Sequence, residues 1–154
     1  MTDIALIMDE YGGDIRVVDL DLLADDGLET AVYISLFSNA RALPDQMPPG
    51  QEGDDLQGYW ADIQLDEGDQ TGSLLWLLAR EKTTNTALTN AAQWAREALD
   101  WMIEDRVATR VEVNTELITR GIMAIEVQIF RPQEKTASYR YYFEWETQIA
   151  KRVA

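Results

Sequence analysis

Period-two alternation of apolar and polar residues dominates the last third of the chain. Val111, Val113 and Leu117 lie on one side, alternating with Arg110, Glu112, Asn114 and Glu116. Ile125, Val127 and Ile129 alternate with Glu126 and Gln128, and Tyr139, Tyr141, Phe143 and Trp145 with Arg140, Tyr142, Glu144 and Glu146. Successive strand side chains point to opposite faces, so these segments predict an antiparallel meander with one wet face. Pro132-Gln133-Glu134-Lys135 makes a turn. Upstream the apolar spacing changes to three and four. Leu88, Ala91, Ala92, Ala95, Leu99, Met102 and Ile103 form one stripe, flanked by Trp94 and Trp101, and predict a long core-packed helix over about 87–106. Thr83-Thr84-Asn85-Thr86 supplies capping residues before it. Leu28, Val32 and Leu36, joined by Ala31, predict a shorter helix over 28–38, with Asp25 and Asp26 at the positive end of its dipole.

Gly72-Ser73-Leu74-Leu75-Trp76-Leu77-Leu78-Ala79-Arg80-Glu81-Lys82 breaks the amphipathic rule. It reads as a helix start apolar on nearly all sides, which must be surrounded by protein, with Ser73 as its cap. Near the N-terminus, Ile4 to Met8 is a short apolar strand, Tyr11-Gly12-Gly13-Asp14 a turn, and Ile15 to Asp19 the return strand of a hairpin. Residues 39–71 carry Pro44, Pro48, Pro49, Gly50, Gly53, Gly58 and Gly68 with Asp54 and Asp55, and read as a long acidic loop. Loops of that length are functional or ordered by a partner. Tyr59 and Trp60 sit inside it, either as a cover tucked onto the core or as anchors for a neighbour. The expected fold is α+β in one domain over 1–154: an N-terminal β-hairpin, two shorter helices and one long helix packed on a C-terminal antiparallel sheet of about three strands.

Charge is unevenly placed. The 154 residues carry a net −15. Residues 1–72 hold 17 Asp/Glu and 2 Lys/Arg, and residues 73–154 hold 11 of each, so the whole imbalance sits in the first half. Such a surface repels nucleic-acid phosphates and anionic lipid and attracts basic proteins. No run of 18 apolar residues predicts a membrane span and no basic leader predicts a signal peptide. With no cysteine and no histidine there is no disulfide, no thiolate chemistry and no Ser-His-Asp triad.

Acids are the remaining candidates for chemistry. Asp19, Asp21, Asp25, Asp26 and Glu29 are dense, but a calcium loop starting at Asp19 would need an oxygen ligand and a glycine where Leu23 and Ala24 stand. A solvated turn and helix cap account for them better. Glu81, Glu97, Glu104 and Asp105 are available for a glycosidase pair, yet no spacing among the 28 acids selects one. Gly12-Gly13 lacks the Lys-Ser/Thr of a phosphate loop. Arg110, Arg120, Arg131 and Arg140 are interleaved with glutamates, as in cross-strand ion pairs.

Three blocks carry a resemblance. Thr30-Ala31-Val32-Tyr33-Ile34-Ser35-Leu36-Phe37, Gly58-Tyr59-Trp60-Ala61-Asp62 and the run Gly72 to Lys82 resemble, in order and spacing, the baseplate protein family of Mu-like contractile-tailed phages. That family is related to the sheath-initiating, lysozyme-like baseplate wedge proteins of other phages. The resemblance implies a non-enzymatic virion structural protein of the tail baseplate, assembled in the host cytoplasm and present in multiple copies. Its implied partners are other wedge proteins, hub, spike or tube proteins, and tail sheath subunits, with no direct contact to nucleic acid or membrane. It implies no catalytic, cofactor-binding or metal residue. In the related sheath initiators a sheet edge accepts strands from the first ring of sheath subunits. The aromatic strand within 138–148 lies near the C-terminus and is the expected edge, where a proline at Tyr142 or Glu144 would block strand addition. The related proteins also contact the wedge core through an Arg-containing element at the end of the long helix. Glu104-Asp105-Arg106 and Thr109-Arg110 lie there without reproducing a Glu-Pro-Arg sequence. The interface candidates are therefore Tyr59, Trp60, Arg106, Arg110, Tyr139, Tyr141, Tyr142, Phe143 and Trp145. The alternatives from other classes are a carboxylate-dependent peptidoglycan hydrolase and an acidic DNA mimic or inhibitor.

Overall fold

The computed structural model describes residues 3–9, 12–22, 24–25, 27–64, 69–81 and 84–153. The fold is α+β. The described residues open with six short strands, β1 (Asp3–Ile4), β2 (Leu6–Asp9), β3 (Gly12–Ile15), β4 (Val17–Val18), β5 (Asp21–Leu22) and β6 (Ala24–Asp25). They pair antiparallel as β2–β3, β4–β5 and β1–β6. The hairpin exists, but its glycines differ from expectation. Gly12 and Gly13 lie within β3, opposite Asp9 and Met8, and Tyr11 of the expected turn is outside the described residues. The expected return strand is split, because β3 ends at Ile15 and the chain turns again at Asp19 and Leu20, both at positive φ.

Helix α1 (Glu29–Phe37) follows as its spacing requires, with Val32 and Leu36 fully buried. Leu28 stands at its N-cap position and offers no side-chain cap bond. The Leu28 N–H instead donates to the Tyr139 hydroxyl at 3.1 Å, tying the helix start to the sheet. Asp26 is outside the described residues.

The apolar run at 72–82 forms a 3₁₀ helix over Leu75–Arg80, with Leu74 through Leu78 all buried. The 3₁₀ period of three residues per turn explains how such a run is used. Leu75 and Leu78 enter the main core, whereas Leu74 and Leu77, with Trp76, enter a second, smaller core with Ala40, Ala42 and Met47. Leu74 rather than Ser73 takes the N-cap position, and Ser73 braces the helix start from one residue earlier. Its hydroxyl accepts from the Leu75 N–H at 3.2 Å and donates to the Leu36 carbonyl at 2.5 Å.

The long helix is two helices, α2 (Thr84–Ala98) and α3 (Trp101–Glu104). Between them backbone bonds tighten to three-residue spacing: Leu99 N–H to Arg96 O, Asp100 N–H to Glu97 O, Met102 N–H to Leu99 O. The buried stripe follows that change. Ala87, Ala91, Ala95 and Leu99 are four apart, and Met102 comes three later, leaving Ile103 exposed. The small residues Ala87, Ala91 and Ala95 let α2 lie close against the sheet. Thr83, expected as a cap, is outside the described residues.

The sheet has four strands rather than about three: β7 (Arg110–Thr119), β8 (Ile122–Phe130), β9 (Ala137–Glu144) and β10 (Ile149–Val153), in the spatial order β10-β9-β8-β7. The inner face carries Val111, Val113, Met123, Ile125, Val127, Ile129, Tyr139, Tyr141 and Phe143, all buried. Leu117 keeps its expected side, opposite the buried Met123, but it is exposed, just ahead of a register shift between Leu117 and Thr119. The fourth strand is hidden in the sequence because its inward residues are Ala150 and Arg152, opposite Phe143 and Tyr141. Arg152 stays there by pairing with Glu29 at 2.9 Å and lying over the Tyr139 and Tyr141 rings, 5.3 and 5.9 Å from their centroids.

The two cores are joined at Gly72-Ser73. The Ser73 N–H donates to Ser38 O at 2.9 Å and Ser73 O accepts from the Ala40 N–H at 3.0 Å, while the Trp76 indole N–H reaches Ala40 O at 2.9 Å. Gly72 has φ +96°, and a Cβ there would sit 2.6 Å from the Ser38 carbonyl carbon. Gly72→Ala should therefore lower unfolding stability by about 3 kcal/mol or more, read as a fall in the urea midpoint. A shift under about 1 kcal/mol would show that this junction is not rigid. Tyr141 offers the opposite case. Its hydroxyl is buried without a hydrogen-bond partner among the described residues, and burial pushes the phenol pKa up. Tyr141→Phe should leave stability unchanged or raise it by up to about 1 kcal/mol, because an unpaired buried hydroxyl contributes a desolvation penalty and nothing else.

Candidate assembly surfaces

The loop at 39–71 is anchored at several points. Ala42 N–H bonds Leu56 O at 3.0 Å, the Arg41 guanidinium donates to Gln57 O at 3.2 Å, and the Asp62 carboxylate accepts from the Thr71 N–H at 3.1 Å. Short 3₁₀ turns occupy Pro44–Gln46 and Trp60–Gln64. On this framework the Tyr59 and Trp60 rings contact each other at 5.8 Å between centroids. Trp60 is 74% exposed and Ile63 90% exposed. Neither Tyr59 nor Trp60 belongs to either buried core.

The expected edge strand is not an edge. Residues 137–144 form β9, which is flanked by β8 on one side and β10 on the other. The Trp145 N–H bonds Gly121 O at 3.2 Å, which fixes the phase of the ladder. By the alternation of antiparallel pairing, Tyr142 and Glu144 then direct their backbone toward β10. A proline at either would remove an internal ladder bond rather than block an edge. The side chains of Tyr139, Tyr141, Phe143 and Trp145 face the core, and Tyr142 faces outward.

The sheet's true edges are β7 and β10. The same phase leaves the N–H and C=O groups of Val111, Val113, Thr115 and Leu117 pointing away from β8. On β10 only Ala150 and Arg152 point outward, and that strand lies near β2. The β7 edge is the longer open template. Arg110, at its start, lies over the Phe130 ring at 4.0 Å and pairs with Glu112 at 3.2 Å. Arg106 is exposed at the turn leaving α3, at φ +61°. Among the interleaved arginines Arg140 makes the cross-strand pairs, to Glu116 and Glu126 at 3.1 Å each, whereas Arg131 pairs within its turn to Glu134.

The candidate carboxylates divide. Glu81 accepts from the Asn90 amide at 3.2 Å, away from the others. Glu97, Glu104 and Asp105 line one open cleft of about 730 Å³ between the α2–α3 corner and the segments at 40–46 and 69–74. Sequence spacing could not reveal this, because the opposite wall comes from the loop. Among the described residues no three acids converge as a metal would require, and no helix is long and apolar enough to cross a membrane.

A family model described as "Phage protein GP46" matches residues 28–136. Baseplate protein gp46 of Escherichia phage Mu is 37% identical over 142 residues, covering 92% of this chain and 95% of that protein. The Mu-like prophage FluMu protein gp46 of Haemophilus influenzae is 32% identical over 145 residues, covering 94% and 98%.

If Trp60 and Ile63 are presented to solvent by an independently anchored loop, the double variant Trp60→Ser, Ile63→Ser should shift unfolding stability by no more than about 0.5 kcal/mol. Chemical denaturation measures this directly. A loss of several kcal/mol would mean that these side chains cover the core.

Proposed function

The chain belongs to the phage protein GP46 family, and we propose that it is a non-enzymatic structural protein of the baseplate in a Mu-like contractile tail. The observation that carries this reading is the near full-length match to a phage Mu protein whose name states that place. On this reading the chain is a virion component that joins wedge proteins to hub or tube proteins and nucleates the sheath. The exposed Tyr59–Trp60 pair is a docking anchor, with Arg106, Arg110 and Tyr142 as further contact candidates. The aromatics Tyr139, Tyr141, Phe143 and Trp145 shape the sheet from within. The anchored loop supports the docking part, since an aromatic held at a fixed place loses little freedom on binding.

The β7 edge is the strand template in this proposal. Four consecutive outward-facing backbone positions, 111, 113, 115 and 117, offer the ladder that an added strand needs. Proline is tolerated on an edge where its missing N–H faces outward. Thr115 is the useful position. Thr115→Pro removes an outward donor and also the hydroxyl bond to Leu88 O, which is 2.9 Å long. Thr115→Val removes the hydroxyl bond alone. Co-expression with wedge, tube and sheath proteins of a Mu-like tail, followed by size-exclusion chromatography and mass spectrometry, reads the outcome. The parent chain and Thr115→Val should capture wedge and sheath proteins in stoichiometric amounts. Thr115→Pro should remain folded, keep the wedge proteins and lose the sheath subunit. Sheath capture by Thr115→Pro would overturn the template, and a parent chain that captures nothing across salt conditions would overturn the baseplate role itself.

A further inference from the structure

We propose that the cleft at the α2–α3 corner binds an extended, arginine-bearing segment of a neighbouring protein. The cleft holds about 730 Å³, a volume that takes several side chains rather than one ion. Trp94 and Trp101, both half-buried, stand seven residues apart along one wall. The Trp101 indole is fixed by donating its N–H to the Ser35 hydroxyl at 3.0 Å. Trp94 packs against both apolar cores, so its orientation is set by the whole fold. The cleft therefore presents rigid aromatic surface at little entropic penalty.

Charge selects the occupant. Asp69 stands on the loop wall, with Glu97, Asp100, Glu104 and Asp105 on the helical wall. Arg41 is the one cation among the described lining residues, and its guanidinium is already engaged with Gln57 O. Among the described residues none of the five acids is in an ion pair. They do not converge on a point, so the cleft suits cations spread along a chain rather than a metal ion. A guanidinium can lie flat on an indole while its N–H groups reach carboxylates at the rim, which an ammonium does less well. The chain makes the same kind of pairing internally, with Arg110 over Phe130 beside Glu112. A second copy of this chain is a poor occupant, since its net charge of −15 opposes the approach. The assembly reading enters only as the source of such a segment. The binding itself is testable on the isolated chain, so its failure is separate from failure of tail-protein capture.

The five tryptophans give five indole N–H signals in a ¹⁵N-labelled sample. The probe is a nine-residue Gly/Ser peptide carrying three spaced arginines, with lysine and glutamate versions beside it. The arginine peptide should shift the Trp94 and Trp101 signals saturably, weaken as salt rises and bind more tightly than the lysine peptide, and the glutamate peptide should do nothing. The triple variant Asp100→Asn, Glu104→Gln, Asp105→Asn should weaken binding about tenfold, the effect of three exposed ion pairs. Asp14→Asn, Asp19→Asn, Asp21→Asn should leave it unchanged. Shifts at other indoles only, equal loss in both triple variants, equal binding of the lysine peptide, or no saturable shift at millimolar peptide would each overturn the proposal.

Discussion

The fold depends on the backbone junction at Gly72-Ser73. A glycine with positive φ lets the chain run against Ser38 with no side chain between them, and the following residue bonds to both sides of that contact. One short segment therefore fixes the end of α1, the start of the 3₁₀ helix and the first residues of the loop. Ser73 adds its hydroxyl to the Leu36 carbonyl, a buried polar group in the last turn of α1. Everything on the loop side is positioned relative to this point, including the wall of the acidic cleft and the framework that presents Trp60.

The junction also explains why the 72–82 run is apolar all round. A helix on a surface needs one apolar stripe, but this segment separates two cores and must satisfy both. An α-helical period would rotate successive apolar residues around the axis. The 3₁₀ period keeps Leu75 over Leu78 and Leu74 over Leu77, so the two pairs serve different cores without mixing. Burial on all sides was legible in the sequence because it needs only composition. The tighter helix type was not, because periods of 3.0 and 3.6 are indistinguishable over six residues.

The same distinction runs through the rest of the chain. The α1 helix and the inner faces of β7, β8 and β9 could be read from spacing, since each repeats one periodicity over two or more buried positions. Three features escaped. The break in the long helix changes a stripe by one residue, which looks like scatter in a linear reading. The strand β10 places Arg152 inward, so the alternation is masked by a charge whose partner, Glu29, lies far away in sequence. This hidden strand shifts the edge of the sheet, since the aromatic strand reads as terminal while a fourth strand covers it. The acidic cleft was half visible. Glu97, Glu104 and Asp105 stood out as carboxylates, but their common wall exists only because the helix corner meets the loop.

Net charge and the open edge are linked by one physical argument. An edge strand of ten residues, paired on one side only, is a template for any chain with strand propensity, and above all for another copy of itself. Proteins usually blunt such an edge with local charge, a bulge or a cover. Here the edge has a register shift at one end, and its outer-face charges are partly neutralised by Arg140 and Arg110. Local protection is therefore modest. Protection against self-pairing falls to the long-range field of the −15 net charge, which acts equally on every copy. A field of one sign repels self-association and attracts a basic partner, so it discriminates between copies and partners where the backbone template cannot. That discrimination weakens with ionic strength as screening shortens its range. The unbalanced acids of the first half, remote in sequence from the sheet, thereby contribute to the specificity of its edge.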